Sequence, residues 1–98
     1  MNMAMIKKMQ SDMMKAQKEI EESTFVGKAS GGAVEVEMSG KKVVSRVYIN
    51  PEIVDTDDIS FLEDLVMVAI NDANNQADAK TESTMGKFTG GMKIPGLF

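Results

Sequence analysis

The 98-residue chain has no cysteine, no histidine and no tryptophan, and only two prolines. Without cysteine there are neither disulfides nor thiolate metal sites. Without histidine the commonest metal ligand, and the one side chain whose ordinary pKa lies near neutrality, is missing. A serine or threonine nucleophile would have to recruit a lysine or a carboxylate as its base. The chain therefore reads as a non-enzyme with no cofactor, no metal and no small-molecule substrate. Long apolar runs are absent too. The longest is LVMVAI, Leu65 to Ile70, far short of the roughly 20 residues that cross a bilayer. MNMAMIKKMQ sets lysines where a secretory signal needs its apolar segment. The expectation is a cytoplasmic protein with no membrane partner.

What is present is ordinary globular composition, 43% hydrophobic and 27% charged, enough for one folded domain. A domain of this size buries only about 60 to 65% of its unfolded surface, so further burial in an oligomer would help it. The formal net charge is -4, unevenly spread. Residues 51–79 hold eight acids and no base, whereas the two flanking stretches together hold eleven bases and seven acids. The ends are mildly basic around an acidic middle.

Ile6, Met9, Met13, Ala16 and Ile20 step by three and four and form one helical stripe. Lys7, Lys8, Lys15 and Lys18 lie off it, which fits a solvated face or phosphate contact equally well. Six of the ten methionines fall in the first fourteen residues. Their register with Ile6 and Ile20 favours core or dimer packing by Met9 and Met13 over a promiscuous binding surface. From Thr24 the period changes to two. TFVGKAS, a Gly31-Gly32 turn, AVEVEMS, a second turn at Ser39-Gly40-Lys41 and KVVSRVYINP read as a three-stranded antiparallel meander over 24–50, closed by Pro51. Strict alternation puts Val43, Val47 and Ile49 on one face of the third strand and Val44 and Tyr48 on the other. One helix layer cannot cover both, so a second copy is expected.

A second helix is expected over 58–85, capped either by Asp57 or by Ser60 paired with Glu63. Leu62, Leu65, Val66, Ala69, Ile70 and Ala73 continue its apolar stripe. Beyond Ala73 the side chains are small and polar, predicting a projecting arm with little to bury until Gly86 stops it. Residues 86–98 form a Gly/Pro-broken apolar tail. The acidic stretch DTDDISFLED fails the calcium-loop pattern, with Ile59 at its fifth position, Ser60 in place of glycine and Val66 at its twelfth. Its acids suit a helix N-terminus instead. GKASGG has neither phosphate-cradling glycine spacing.

The lysine- and methionine-rich first helix, the hairpins around GG and SG, NPEIV, FLEDLVMVAINDAN and the ending TGGMKIPGLF together resemble the YbaB/EbfC family of bacterial nucleoid-associated proteins. The most specific parts are residues 62–73 and 90–98. The resemblance implies an α+β homodimer whose body is sheet and middle helix and whose helical arms grip DNA with limited sequence preference. It implies a role in nucleoid organisation and gene expression. Carried onto this chain, the DNA-contacting candidates are Lys7, Lys8, Lys15, Lys18, Lys80 and Lys87, with Lys41, Lys42 and Arg46 weaker. The dimer and core candidates are Met9, Met13, Val43, Val44, Val47, Tyr48, Ile49, Leu62, Val66 and Ile70. An alternative is a protein-interaction module whose Met-rich helix and apolar tail hold a partner protein, with DNA association indirect.

Overall fold

Asn2 starts the first helix, α1 (Met3–Glu22), by accepting the Met5 N–H on its Oδ1 at 2.8 Å, which satisfies a donor that a helix start leaves open. The computed structural model describes residues 2–89. At the other end of α1 the Ser23 N–H donates to the Ile20 carbonyl at 3.1 Å and its hydroxyl to the Glu19 carbonyl at 2.7 Å. The backbone then becomes extended. Three antiparallel strands follow, β1 (Thr24–Ala29), β2 (Val34–Ser39) and β3 (Val44–Ile49), ordered β1-β2-β3. Ser30, Gly31 and Gly32 join the first two through a turn in which all three take positive φ, at 52°, 68° and 98°. Two adjacent glycines make such a run accessible.

The strand register sets which residues face the core. Phe25, Gly27 and Ala29 of β1 pair with Met38, Val36 and Val34 of β2, and Val34 and Val36 pair in turn with Ile49 and Val47 of β3. Partners in an antiparallel pair share a face. Between Glu37 and Met38 the register slips: Glu37 faces Arg46 and Met38 faces Val44, leaving Ser45 as the extra residue of a bulge. This overturns the expected facing of β3. The bulge moves Val44 onto the side of Val47 and Ile49, leaving Arg46 and Tyr48 on the opposite side, while Val43 sits in the preceding turn with its carbonyl accepting the Ser39 N–H.

The second helix, α2 (Ile59–Thr89), lies across β1 and β2. Neither cap weighed from the sequence is used. Asp58 is the cap, its Oδ1 accepting from the Phe61 N–H at 3.4 Å and the Ser60 hydroxyl at 3.1 Å. Asp55 accepts the Asp57 N–H at 2.9 Å in the turn before it. Ala69, Ala73 and Ala77, four residues apart, are fully buried or nearly so, and they let the helix axis approach the sheet closely. Gly27 completes that approach, because a Cβ there would collide with the Ala69 carbonyl and with Ala73. Around this contact sit buried Ala29, Val34 and Val36, flanked by half-buried Ile49, Leu62, Val66 and Ile70.

α2 also holds the free edge of β1. Asp72 Oδ2 accepts the Lys28 N–H at 2.9 Å, and Gln76 donates to the Val26 carbonyl at 2.8 Å. Lys28 meeting Asp72, Gly27 meeting Ala73 and Val26 meeting Gln76 show that β1 runs antiparallel to α2, and α1 packs on the outer turns of α2. The outer half of α2 thus does have something to bury. Ala77 and Met85 are buried, and Met85 and Thr81 line a groove shared with Met13 and Ile20 of α1. That contact carries the helix past Gly86, the residue expected to stop it, on to Thr89. An interior glycine costs about 1 kcal/mol, which such packing outweighs. The Gly/Pro segment 90–98 lies outside the described residues.

Gly27→Ala is expected to lower the unfolding free energy by about 3 kcal/mol, the upper range for overpacking, because the colliding atoms are helix backbone. Asp58→Ala removes only a cap and should cost about 1 kcal/mol. Urea denaturation measures both, and equal midpoints for Gly27→Ala and the parent would contradict the first.

Candidate nucleic-acid interface

α1 sorts its side chains by helical spacing. Ile20 is buried and Met13 half-buried on the side toward α2, while Ile6 and Met9, further out on the same stripe, are 37% and 39% exposed. Lys7, Ser11, Lys15 and Lys18 step by four, four and three along the opposite side, and all four are exposed. At 100° per residue they fall within one face. The stripe that glues α1 to α2 therefore turns the lysines outward. Lys7, Lys15 and Lys18 make no ion pair among the described residues. Lys8, beside the row, approaches Asp12 at 3.4 Å with its side chain 78% exposed, a surface pair worth less than about 1 kcal/mol.

The remaining cations divide clearly. Lys80 is exposed on α2, and Lys87 lies seven residues on along the same helix. Lys41, Lys42 and Arg46, the weaker candidates, each have an acidic partner: Lys41 lies 4.0 Å from Glu21, Lys42 pairs with Asp78, and Arg46 lies 3.9 Å from Glu37 while sitting over the Tyr48 ring. Lys42 holds positive φ, at 66°, in the tight β2–β3 turn. These three serve to seat that turn and strand against α1, α2 and β2. Sequence spacing could not separate them from the α1 lysines, since their partners lie up to tens of residues away in the chain.

Six of the fifteen acids cluster at the other end, while α1 itself carries Asp12, Glu19, Glu21 and Glu22. Glu52, Asp55, Asp57, Asp58, Glu63 and Asp64 surround the start of α2, roughly 30 Å along the helix from the level of Lys18 at 1.5 Å per residue. Salt at physiological strength screens charges beyond about 8 Å. The acidic end therefore does not cancel the lysine row, although it makes the formal sum negative.

The candidates for packing fall into two sets. Leu62, Val66, Ile70 and Ile49 contact the core. Val43, Val44, Val47 and Tyr48 are exposed, Val43 by 61% and Val47 by 46%, because α2 stops short of β3. Val44 and Val47 thus form an apolar ledge on the helix side of the sheet. No hydrogen bond among the described residues reaches the outer edge of β3. Sequence reading missed Asp72 and Gln76, which close the opposite edge. Their four-residue spacing on the flank of an alanine stripe was the available signal.

Comparison with known proteins identifies the family. The chain is 52% identical over 97 residues to a nucleoid-associated protein of Oceanobacillus iheyensis, covering 96% of this chain and 93% of that one. It is 48% identical over 96 residues to a nucleoid-associated protein of Alkaliphilus metalliredigens, covering 98% of this chain and 84% of that one. The fold matches the crystal structure of an uncharacterized protein from Helicobacter pylori with a TM-score of 0.72 at 15% identity, over 91% of this chain and 98% of that chain. The model of the YbaB/EbfC DNA-binding family matches residues 1–92, and the chain belongs to that family.

Proposed function

We propose that this protein binds DNA as a homodimer, that phosphate contacts from the α1 lysines supply most of the affinity, and that the complex contributes to nucleoid organisation and gene expression in the cytoplasm. The observation that carries the reading is the outward row of Lys7, Lys15 and Lys18 without acidic partners among the described residues, far from the acidic cluster at the start of α2. Lys8, Lys80 and Lys87 add to it. Such contacts position a duplex without reading its bases, and nothing in the reading calls for catalysis.

Dimerisation is supported by the uneven treatment of the two sheet edges. Asp72 and Gln76 occupy the edge of β1, so only β3 can accept another strand. Its helix-side ledge, Val44 and Val47, is 41% and 46% exposed. A second copy placed there covers in one contact both an unpaired edge and an apolar surface that a protein this small gains by burying. A second reading, in which a protein partner holds the helix, draws on Met3, Met5 and Met14, the last 72% exposed. Purified components separate the two, because the first reading requires DNA binding with no other protein present.

In a salt-dependent titration, the plot of log affinity against log salt should lose about 0.9 in slope for each phosphate contact removed. The triple change Lys7→Gln, Lys15→Gln and Lys18→Gln should therefore flatten it markedly, whereas Lys42→Gln should leave it unchanged. Absence of binding at low salt by the unaltered dimer, or equal slopes for the triple variant and parent, would sink the phosphate reading. By sedimentation velocity at micromolar concentration the parent should run as a dimer. Val47→Asp should weaken association by about a hundredfold or more, the scale for an uncompensated charge in an interface. A monomeric parent contradicts the β3 contact.

A further inference from the structure

α1 carries a second line of side chains beside its packed stripe. Met3, Lys7, Gln10, Met14 and Lys18 step by four, three, four and four, so at about 100° per residue all five fall within a strip about 80° wide. Met13, on the packed stripe, precedes Met14 by one residue and lies about 100° round the helix from it. Met14 is thereby turned off the contact with α2. Met3 and Met14 are 69% and 72% exposed, the highest values for any large apolar side chain among the described residues.

Neither packing nor propensity accounts for this pair. Met13 and Ile20 already hold α1 to α2, and in a helix methionine is no better than lysine or glutamine, so a face meant only for water gains nothing from it. The two methionines are also set among cations: Lys7 follows Met3, and Lys18 follows Met14, by four residues, about one turn in each case. A partner matched to this strip presents negative charge and small apolar groups side by side. Duplex DNA does so in its major groove, which is about 12 Å wide, admits a helix, is bordered by phosphates and displays the C5-methyl of every thymine. A bilayer surface fits less well, because a helix lying in it needs a broad apolar face, and the continuous apolar stripe of α1 is spent on α2.

We propose that Met3 and Met14 are base-contacting residues, seated on thymine methyl groups in the major groove while Lys7 and Lys18 hold the flanking phosphates. The inference rests on the DNA-binding reading and deepens it, adding a preference for A·T pairs to phosphate contacts that by themselves carry none.

Uracil differs from thymine only in lacking that methyl, so a duplex made with deoxyuridine in place of thymidine keeps every phosphate and every base-pair hydrogen bond. The full chain is titrated by fluorescence anisotropy against an A·T-rich duplex and against its uracil counterpart. The parent should bind the thymine duplex at least about fourfold tighter, the scale for one buried methyl, with the same salt slope for both. Met3→Ala with Met14→Ala keeps helix propensity and should bind the two duplexes equally, with the parent's slope. Lys7→Gln with Lys18→Gln should do the reverse, lowering the slope and keeping the preference. Equal affinity of the parent for the two duplexes, in binding that still weakens as salt rises, overturns the methyl contact and leaves the phosphate reading standing. No binding of either duplex at low salt overturns both. A preference that persists in the alanine variant also overturns the proposal, since it would then come from the stiffness of the duplex. So does an alanine variant that sediments as a monomer beside a dimeric parent, because the methionines would then belong to the contact between copies.

Discussion

Everything in this molecule follows from how closely α2 can sit on β1. The absence of a side chain at Gly27, met by Ala69 and Ala73, brings helix backbone against strand backbone. The alanine stripe can be seated there and nowhere else on the sheet. With the helix fixed over β1 and β2, its flank delivers Asp72 and Gln76 to the free edge of β1, and its outer turns lie where α1 arrives. The same placement leaves β3 beyond its reach. A single close contact thus decides which surfaces are finished within one chain and which are left for another molecule.

Elements came through from sequence where the pattern was local. The 3.6-residue stripe of α1, the two-residue alternation of β2 and the paired glycines of the first turn each describe an environment that a few neighbours set, and each appears at the expected place. What could not be read depended on residues far apart. The bulge at Ser45 is a mismatch between two strands, so counting along β3 alone assigns Val44 to the wrong face. Gly86 is a helix breaker by propensity, about 1 kcal/mol worse than alanine, and only the contact of Met85 and Thr81 with α1 shows why the helix survives it. The site divides in the same way. The lysine row was visible as spacing on one helix and Lys41, Lys42 and Arg46 already ranked as weaker candidates, but the ion pairs that occupy those three needed tertiary partners.

The charge distribution gains meaning once it is placed in space. In the sequence the acids lie between two basic stretches, and the sum is negative. In the fold, packing of α1 on the outer turns of α2 brings the first-helix lysines to the side of the molecule that carries Lys80, and leaves Glu52, Asp55, Asp57, Asp58, Glu63 and Asp64 clustered at the opposite end. The result is a molecule about 65 Å long with an acidic cluster at one end and lysines interleaved with acids at the other. A polyanion approaching such an object is repelled by the acidic cluster, so that end is turned away before contact is made.

The hydrogen bonds from Asp72 and Gln76 to β1 look minor, two side chains on two backbone groups. Their consequence is arithmetical. A sheet with two usable edges can add neighbours without limit and is a seed for fibres. A sheet with one usable edge can accept a single addition, after which no edge remains. By spending two polar side chains on the first strand, the chain gives any assembly built through its third strand a stopping rule.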